Sequence, residues 1–190
     1  MRLATRLLTF MVLLLPACGF LEPAAPERAF KATDLLIGVE DMPPGYSSYE
    51  PFSSREFSCA ECASIQFPKA EAGSVATMDV FRYLREGAAQ RMFNEIILVA
   101  PYQYPETPWV YQSVVADRSY FGCFEWAEDE SAPVCEWVGQ YGEYVVVFRT
   151  LIGPDGMSLD DMENVIWAID QRLADHLEKP LLDEIETEAP

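Results

Sequence analysis

Two pairs of cysteines, a cluster of carboxylates, one histidine and a proline–tyrosine loop carry the residue types with chemical potential in this chain. Cys59-Ala60-Glu61-Cys62 is a C-x-x-C, a spacing used by thiol redox sites, zinc knuckles and short structural disulfides. A redox site needs the motif at a helix start after a buried strand, and Ser53-Ser54-Arg55-Glu56-Phe57-Ser58 is not such a strand. Zinc needs a second close pair, whereas eleven residues separate Cys123 from Cys135. Structural disulfides are therefore expected, and four cysteines allow three connectivities. The only histidine, His176, sits beside Asp175 near the end of the chain's last apolar stripe, where a helix-end residue interacting with the dipole is the plain reading. Neither G-x-S-x-G nor S-x-x-K occurs, so nucleophilic hydrolysis has no motif.

Glu125, Glu128, Asp129, Glu130 and Glu136 cluster on one hairpin. Paired carboxylates there could run glycoside hydrolysis, but a charged turn explains them more simply. No D-x-[DN]-x-[DN]-G pattern marks a calcium loop, and no metal or cofactor is expected. The stretch from Tyr102 to Tyr111 is the candidate binding surface: Tyr102, Tyr104, Trp109 and Tyr111 stand on a frame of Pro101, Pro105 and Pro108. Rigid aromatics give contact area at low entropic cost. The competing reading folds this loop onto the domain's own core.

The elements that must position these residues follow from periodicity. Val75 to Tyr83 alternates and reads as a strand; Ala89, Met92, Phe93, Ile96 and Ile97 then recur at helical steps from Glu86 to about Val99. Trp109 to Ala116 is a further strand candidate. Tyr120 to Ala127, Val134 to Val138 and Tyr144 to Ile152 form an antiparallel meander, with a tight turn at Tyr141-Gly142. Tyr144-Val145-Val146-Val147-Phe148 is apolar on both faces, as a central strand is when covered from both sides. Ser158 and Asp161 resemble a capping box, and Leu159, Met162, Val165, Ile166, Ile169, Leu173 and Leu177 line one helix face. Thr33 or Asp34 can cap a short helical piece. From Ser47 to Pro68 no clean period appears. If Cys123 faces Cys135, the register sets Phe121 opposite Trp137, Phe124 opposite Val134 and Trp126 opposite Ala132, closing on a three-residue loop. That symmetry favours Cys123–Cys135 and leaves Cys59–Cys62. The expectation is one α+β domain: an antiparallel sheet of about five strands with two main helices packed against it.

The chain has 190 residues, half of them hydrophobic and 13% aromatic, enough for one ordinary core. Its formal charge is −18, which repels nucleic acid and anionic headgroups and favours solubility or cationic partners.

The chain begins with Arg2 and Arg6, has no acidic residue before Glu22, and is nearly all apolar from Leu7 to Ala17. That run is too short to span a bilayer but matches a signal-peptide core. Leu15-Pro16-Ala17-Cys18 resembles a bacterial lipobox. The resemblance implies cleavage before Cys18 and lipidation of its sulfur, hence a membrane-anchored protein facing the extracytoplasmic side. Removing Arg2 and Arg6 with the leader would leave 11 basic against 31 acidic residues, or −20. The expected organisation is a signal peptide at 1–17, lipidated cysteine and flexible tether at 18–31, the domain at 32–178 and an acidic tail at 179–190. In an exported chain disulfides persist.

Asp41-Met42-Pro43-Pro44-Gly45-Tyr46 is similar to the D-[LM]-P-x-G-[FWY] turn of exported bacterial domains. With the strand and helix around Met78–Val99, the meander and the closing helix, it resembles the extracellular sensor domains of PknH-like receptor kinases and related small lipoproteins. The resemblance implies a helix–sheet sandwich with two disulfides and a groove for an unidentified ligand, and no catalytic residue. The expected function is a non-enzymatic ligand- or partner-binding module, with a carboxylate hydrolase or a structural lipoprotein that contacts other envelope proteins as alternatives.

Overall fold

The structure, a computed structural model, describes residues 22–53, 59–70, 73–99, 111–124 and 133–179. Two 3-10 turns, Ala32–Leu35 and Val39–Asp41, precede strands β1 (Glu61–Pro68) and β2 (Val75–Arg82), then helix α1 (Glu86–Val99). Strands β3 (Arg118–Phe124), β4 (Val134–Tyr141) and β5 (Tyr144–Leu151) follow, and helix α2 (Leu159–Leu177) closes the order. The strands form one sheet in the order β1-β2-β5-β4-β3, every neighbour antiparallel. The protein is an α+β fold with a five-stranded antiparallel sheet and two main helices, as expected.

Because β5 lies at the centre of the sheet, its successive side chains enter two different cores. Tyr144, Val146 and Phe148 join Met78, Val80, Trp137 and Tyr141 against Met162, Val165, Ile166, Ile169 and Leu173 of α2. Val145 and Val147 join Cys62, Phe81, Tyr83 and Val138 against Ala89 and Phe93 of α1. This two-sided burial is the physical reason for an unbroken apolar run instead of an alternating one. Helix α2 starts where its cap predicts: the Ser158 side chain accepts from Asp161 N, 3.0 Å, and its hydroxyl donates to the Asp161 carboxylate, 2.7 Å. The β4–β5 hairpin turns on two residues, with Gly142 at φ 59°, a conformation that favours glycine.

Two strand expectations are corrected. The fifth strand is β1, not Trp109–Ala116. In β1, Ala63, Ile65 and Phe67 alternate with Ser64 and Gln66, a short period-2 signal inside a polar stretch. Its outer edge is covered by the preceding segment, where Ser47 N donates to Pro68 O (3.0 Å) and Tyr49 N to Gln66 O (2.9 Å). Of the rejected strand, residues 111–116 are described and carry no ladder. Ser113 Oγ accepts from Val115 N and Ala116 N, and Tyr111 and Ser113 turn their hydroxyls to Asp170 on α2. Side-chain bonds to the backbone of this kind compete with strand pairing.

Residues 22–31, expected as part of a flexible spacer, instead lie along the domain. Ala25 N donates to Leu84 O (2.8 Å), Arg82 Nη2 to Pro26 O (2.6 Å), and Arg28 grips Glu143 through Nε and Nη2 at 2.8 and 3.1 Å. The sequence shows charge and proline there; that the charge is met by a buried Glu143 is a tertiary fact.

Candidate functional site

Alternation on β2 sets Asp79, Phe81 and Tyr83 on the sheet face under α1, and antiparallel pairing brings Val147 and Arg149 of β5 alongside them. From above, α1 contributes Met92 and Ile96, one turn apart. Together these seven residues line a cavity of about 140 Å³. That is close to the ~150 Å³ at which an apolar protein cavity admits a benzene-sized group. Its walls are Phe81, Met92, Ile96 and Val147; its polar groups are Asp79, Tyr83 and Arg149. Arg149 also borders a shallower, wider depression of about 370 Å³, with Thr77, Val134 and Leu151 among its walls.

The polar groups are fixed by neighbours on the same face. Ser64 Oγ donates to Asp79 Oδ1 across the β1–β2 pair. Burial pushes the Asp79 carboxyl above the usual carboxylate range and Glu136 adds to the rise, while the Ser64 hydroxyl and the Arg149 charge oppose it. Arg149 sends Nε (2.8 Å) and Nη2 to a single oxygen of Glu136, its partner across the β4–β5 pair. The Glu136 side chain is 2% exposed and that of Arg149 is 44% exposed. A buried carboxylate held by an arginine that reaches outward is compensated and anchored. Tyr83 is 5% exposed, and its hydroxyl has no hydrogen-bond partner among the described residues. Burial first, and then Glu95, pushes its phenol up to about 12. Buried hydroxyls usually have a partner; among the described residues the Tyr144 hydroxyl is buried without one as well.

The opposite face holds a second polar cluster. Asp170, fully buried on α2, accepts from Tyr111 OH, from Ser113 Oγ at 2.8 Å and from Tyr141 OH at 2.5 Å. Burial first and then the Asp170 carboxylate raise the Tyr141 phenol well above its ordinary value, and the same causes raise Tyr111. This network ties the chain before β3 to α2.

The residues singled out from sequence fall in separate places. Cys123–Cys135 is a disulfide between facing β3 and β4 residues with Cα atoms 4.0 Å apart, and Cys59–Cys62 is the second, 6.1 Å apart. Phe121 faces Trp137 and Phe124 faces Val134; the Trp126–Ala132 pair lies outside the described residues. Tyr111 is half-buried against the core with its hydroxyl on Asp170, while Tyr102, Tyr104 and Trp109 lie outside the described residues, as do Cys18, Glu125, Glu128, Asp129 and Glu130. Glu136 belongs to the sheet interior, paired with Arg149, not to an acidic turn. His176 Nδ1 lies 2.8 Å from the Arg172 carbonyl, to which it must donate, and its ring meets the edge of Phe30 at 5.1 Å. Among the described residues no cluster of His, Cys, Asp or Glu could hold a metal, and no helix is long and apolar enough to cross a membrane.

Sequence reasoning passed over Asp79, Tyr83 and Arg149 as a site. The available signal was a charge embedded in apolar strands: Asp79 between Met78 and Val80, and Arg149 directly after Phe148. Comparison with known protein families, curated proteins and solved structures finds no match to the chain.

Proposed function

We propose that this protein is a bacterial envelope lipoprotein, anchored through Cys18, whose domain binds a small ligand in the cavity under α1 without catalysing a reaction. The observation that carries the reading is a mainly apolar cavity whose lining includes Tyr83, with its buried and unpartnered hydroxyl, and the side chains of Asp79 and Arg149. A mainly apolar pocket with a few convergent polar groups is what small-molecule sites present. The ligand has a compact apolar part for Phe81, Met92, Ile96 and Val147, and a polar group for the other three. Hydrolysis by paired carboxylates fits less well, because both guanidinium bonds of Arg149 engage Glu136, leaving Asp79 as the carboxyl group that lines the cavity.

Mass spectrometry of the native, lipidated protein tests both halves. The expected result is a small molecule that co-purifies with the parent chain and is lost from Ile96→Trp, which fills the cavity. Tyr83→Phe, which removes one hydrogen bond worth about 1 kcal/mol, should weaken retention roughly fivefold. A ligand held equally by all three chains overturns the assigned pocket. For the anchor, Cys18→Ser should abolish the lipid mass and leave the precursor uncut; a variant still processed to normal size on membranes overturns it.

A further inference from the structure

Residues 22–31 make a sequence of contacts that begins four residues after Cys18. The Glu22 carboxylate accepts from the Gly87 amide in the first turn of α1, where a negative charge also meets the helix dipole. Ala25 then donates to Leu84 O, Pro26 accepts from Arg82, and Arg28 is clamped bidentately on Glu143. Phe30 closes the run between Tyr144, 6.1 Å between ring centroids, and His176. Pro23 and Pro26 restrict the chain before it docks, which lowers the entropy lost on ordering it.

This docking changes how far the domain can stand from a lipid on Cys18. A free spacer from Cys18 to Lys31 would reach about 45 Å, whereas the four steps from Cys18 to Glu22 reach at most ~14 Å. The part of the domain placed nearest the anchor is the β2–α1 turn, which Glu22 and Ala25 touch. Leu84 at that turn is 73% exposed, a large apolar side chain presented to the outside. The charge there is also unlike the rest of the molecule. Arg28, Lys31, Arg82 and Arg85 gather there among Glu22, Glu27, Glu61, Glu86 and Glu143, in a chain with 13 basic residues against 31 acidic ones. A strongly acidic protein held at an anionic leaflet is repelled less through an end where basic residues gather.

We propose that residues 22–31 form a strap that holds the domain down on the bilayer that bears its lipid, with the β2–α1 turn as a membrane-contact surface and Leu84 at its tip. The proposal rests on lipidation of Cys18 and is independent of the ligand cavity.

The test uses the full lipidated chain in phosphatidylethanolamine–phosphatidylglycerol vesicles whose acyl chains carry bromine, a fluorescence quencher. Leu84→Trp should add an emission that the bromolipid quenches. A companion chain carries the same substitution and about twelve Gly/Ser residues inserted before Glu22, adding roughly 20 Å of reach; it should lose the quenching. Slow exchange of the Ala25 amide in the parent reports the docked strap directly. Mass spectrometry of the same samples reads the lipid on Cys18. A lipidated chain whose Leu84→Trp indole is unquenched overturns the contact surface and leaves the anchor standing, whereas a chain without lipid overturns both. Quenching that survives the insertion overturns the strap as the cause of the contact.

Discussion

Replacing Asp170 by alanine should be among the most damaging single changes in the domain. The carboxylate is fully buried and accepts from three hydroxyls. Tyr141 is also fully buried, so its hydroxyl would lose its charged acceptor with no route to water and only the Ser113 hydroxyl beside it, at a cost of about 1–3 kcal/mol. Tyr111 and Ser113 are half-buried and can turn toward solvent, so each loses only the net value of a bond to a charged acceptor, about 1 kcal/mol after that relief. Asp170→Ala should therefore destabilise by roughly 3–5 kcal/mol, a large share of the 5–15 kcal/mol typical of a domain. Tyr141→Phe removes one donor and leaves two on the carboxylate, so about 1–2 kcal/mol is expected. In the double variant the orphaned hydroxyl is absent, and Asp170→Ala should cost at least ~1 kcal/mol less than in the parent. Urea unfolding of the four disulfide-intact chains measures the cycle. Additive losses, or an Asp170→Ala loss below about 1 kcal/mol, would refute the view that this carboxylate organises the network.

Two further outcomes follow from the bridges and the buried phenols. The Cys123–Cys135 bridge closes a loop of about 13 residues, worth ~3 kcal/mol in the chain-entropy account, against ~2 kcal/mol for the four-residue Cys59–Cys62 loop. Thermal melts should place Cys123→Ala below Cys59→Ala, and the reverse order would contradict the entropic reasoning. Burial pushes the phenols of Tyr83 and Tyr144 up to about 12, and it raises that of Tyr141 well above its ordinary value. An unfolded chain releases these protons near pH 10 while the folded chain keeps them, so the stability they contribute is complete below pH 10. It is lost between pH 10 and about 12, at ~1.4 kcal/mol per pH unit for each tyrosine. Urea midpoints measured from pH 8 to 12 should be flat in this respect until 10 and then fall; a flat profile through 11.5 would show these phenols are not sequestered.

What the sequence determined was whatever short-range pattern could encode. The run Tyr144–Phe148 announced a strand covered on both faces, and helical spacing with a Ser158 cap placed α2 to within a residue. The symmetric spacing about Cys123 and Cys135 implied a register that the β3–β4 pair has. Each is a local periodicity, and tertiary packing had no reason to override it. β1 is hard to read because only Ala63, Ile65 and Phe67 alternate with polar neighbours in it, a short signal, and its identity as a strand depends on β2 offering a ladder from a different part of the chain. The stretch from Tyr111 to Ala116 fails as a strand for the complementary reason: two of its hydroxyls find Asp170, 59 and 57 residues away. The cavity depended on the fold in the same way. Asp79, Tyr83, Met92 and Arg149 carry no common motif, and they converge only because β5 inserts between β2 and β4 and α1 folds back over that face. The strap is the plainest case. Prolines and mixed charge fit a free spacer as well as a docked one, and the outcome is set by the buried Glu143 on a turn more than a hundred residues downstream, which provides Arg28 with a partner that solvent would otherwise supply.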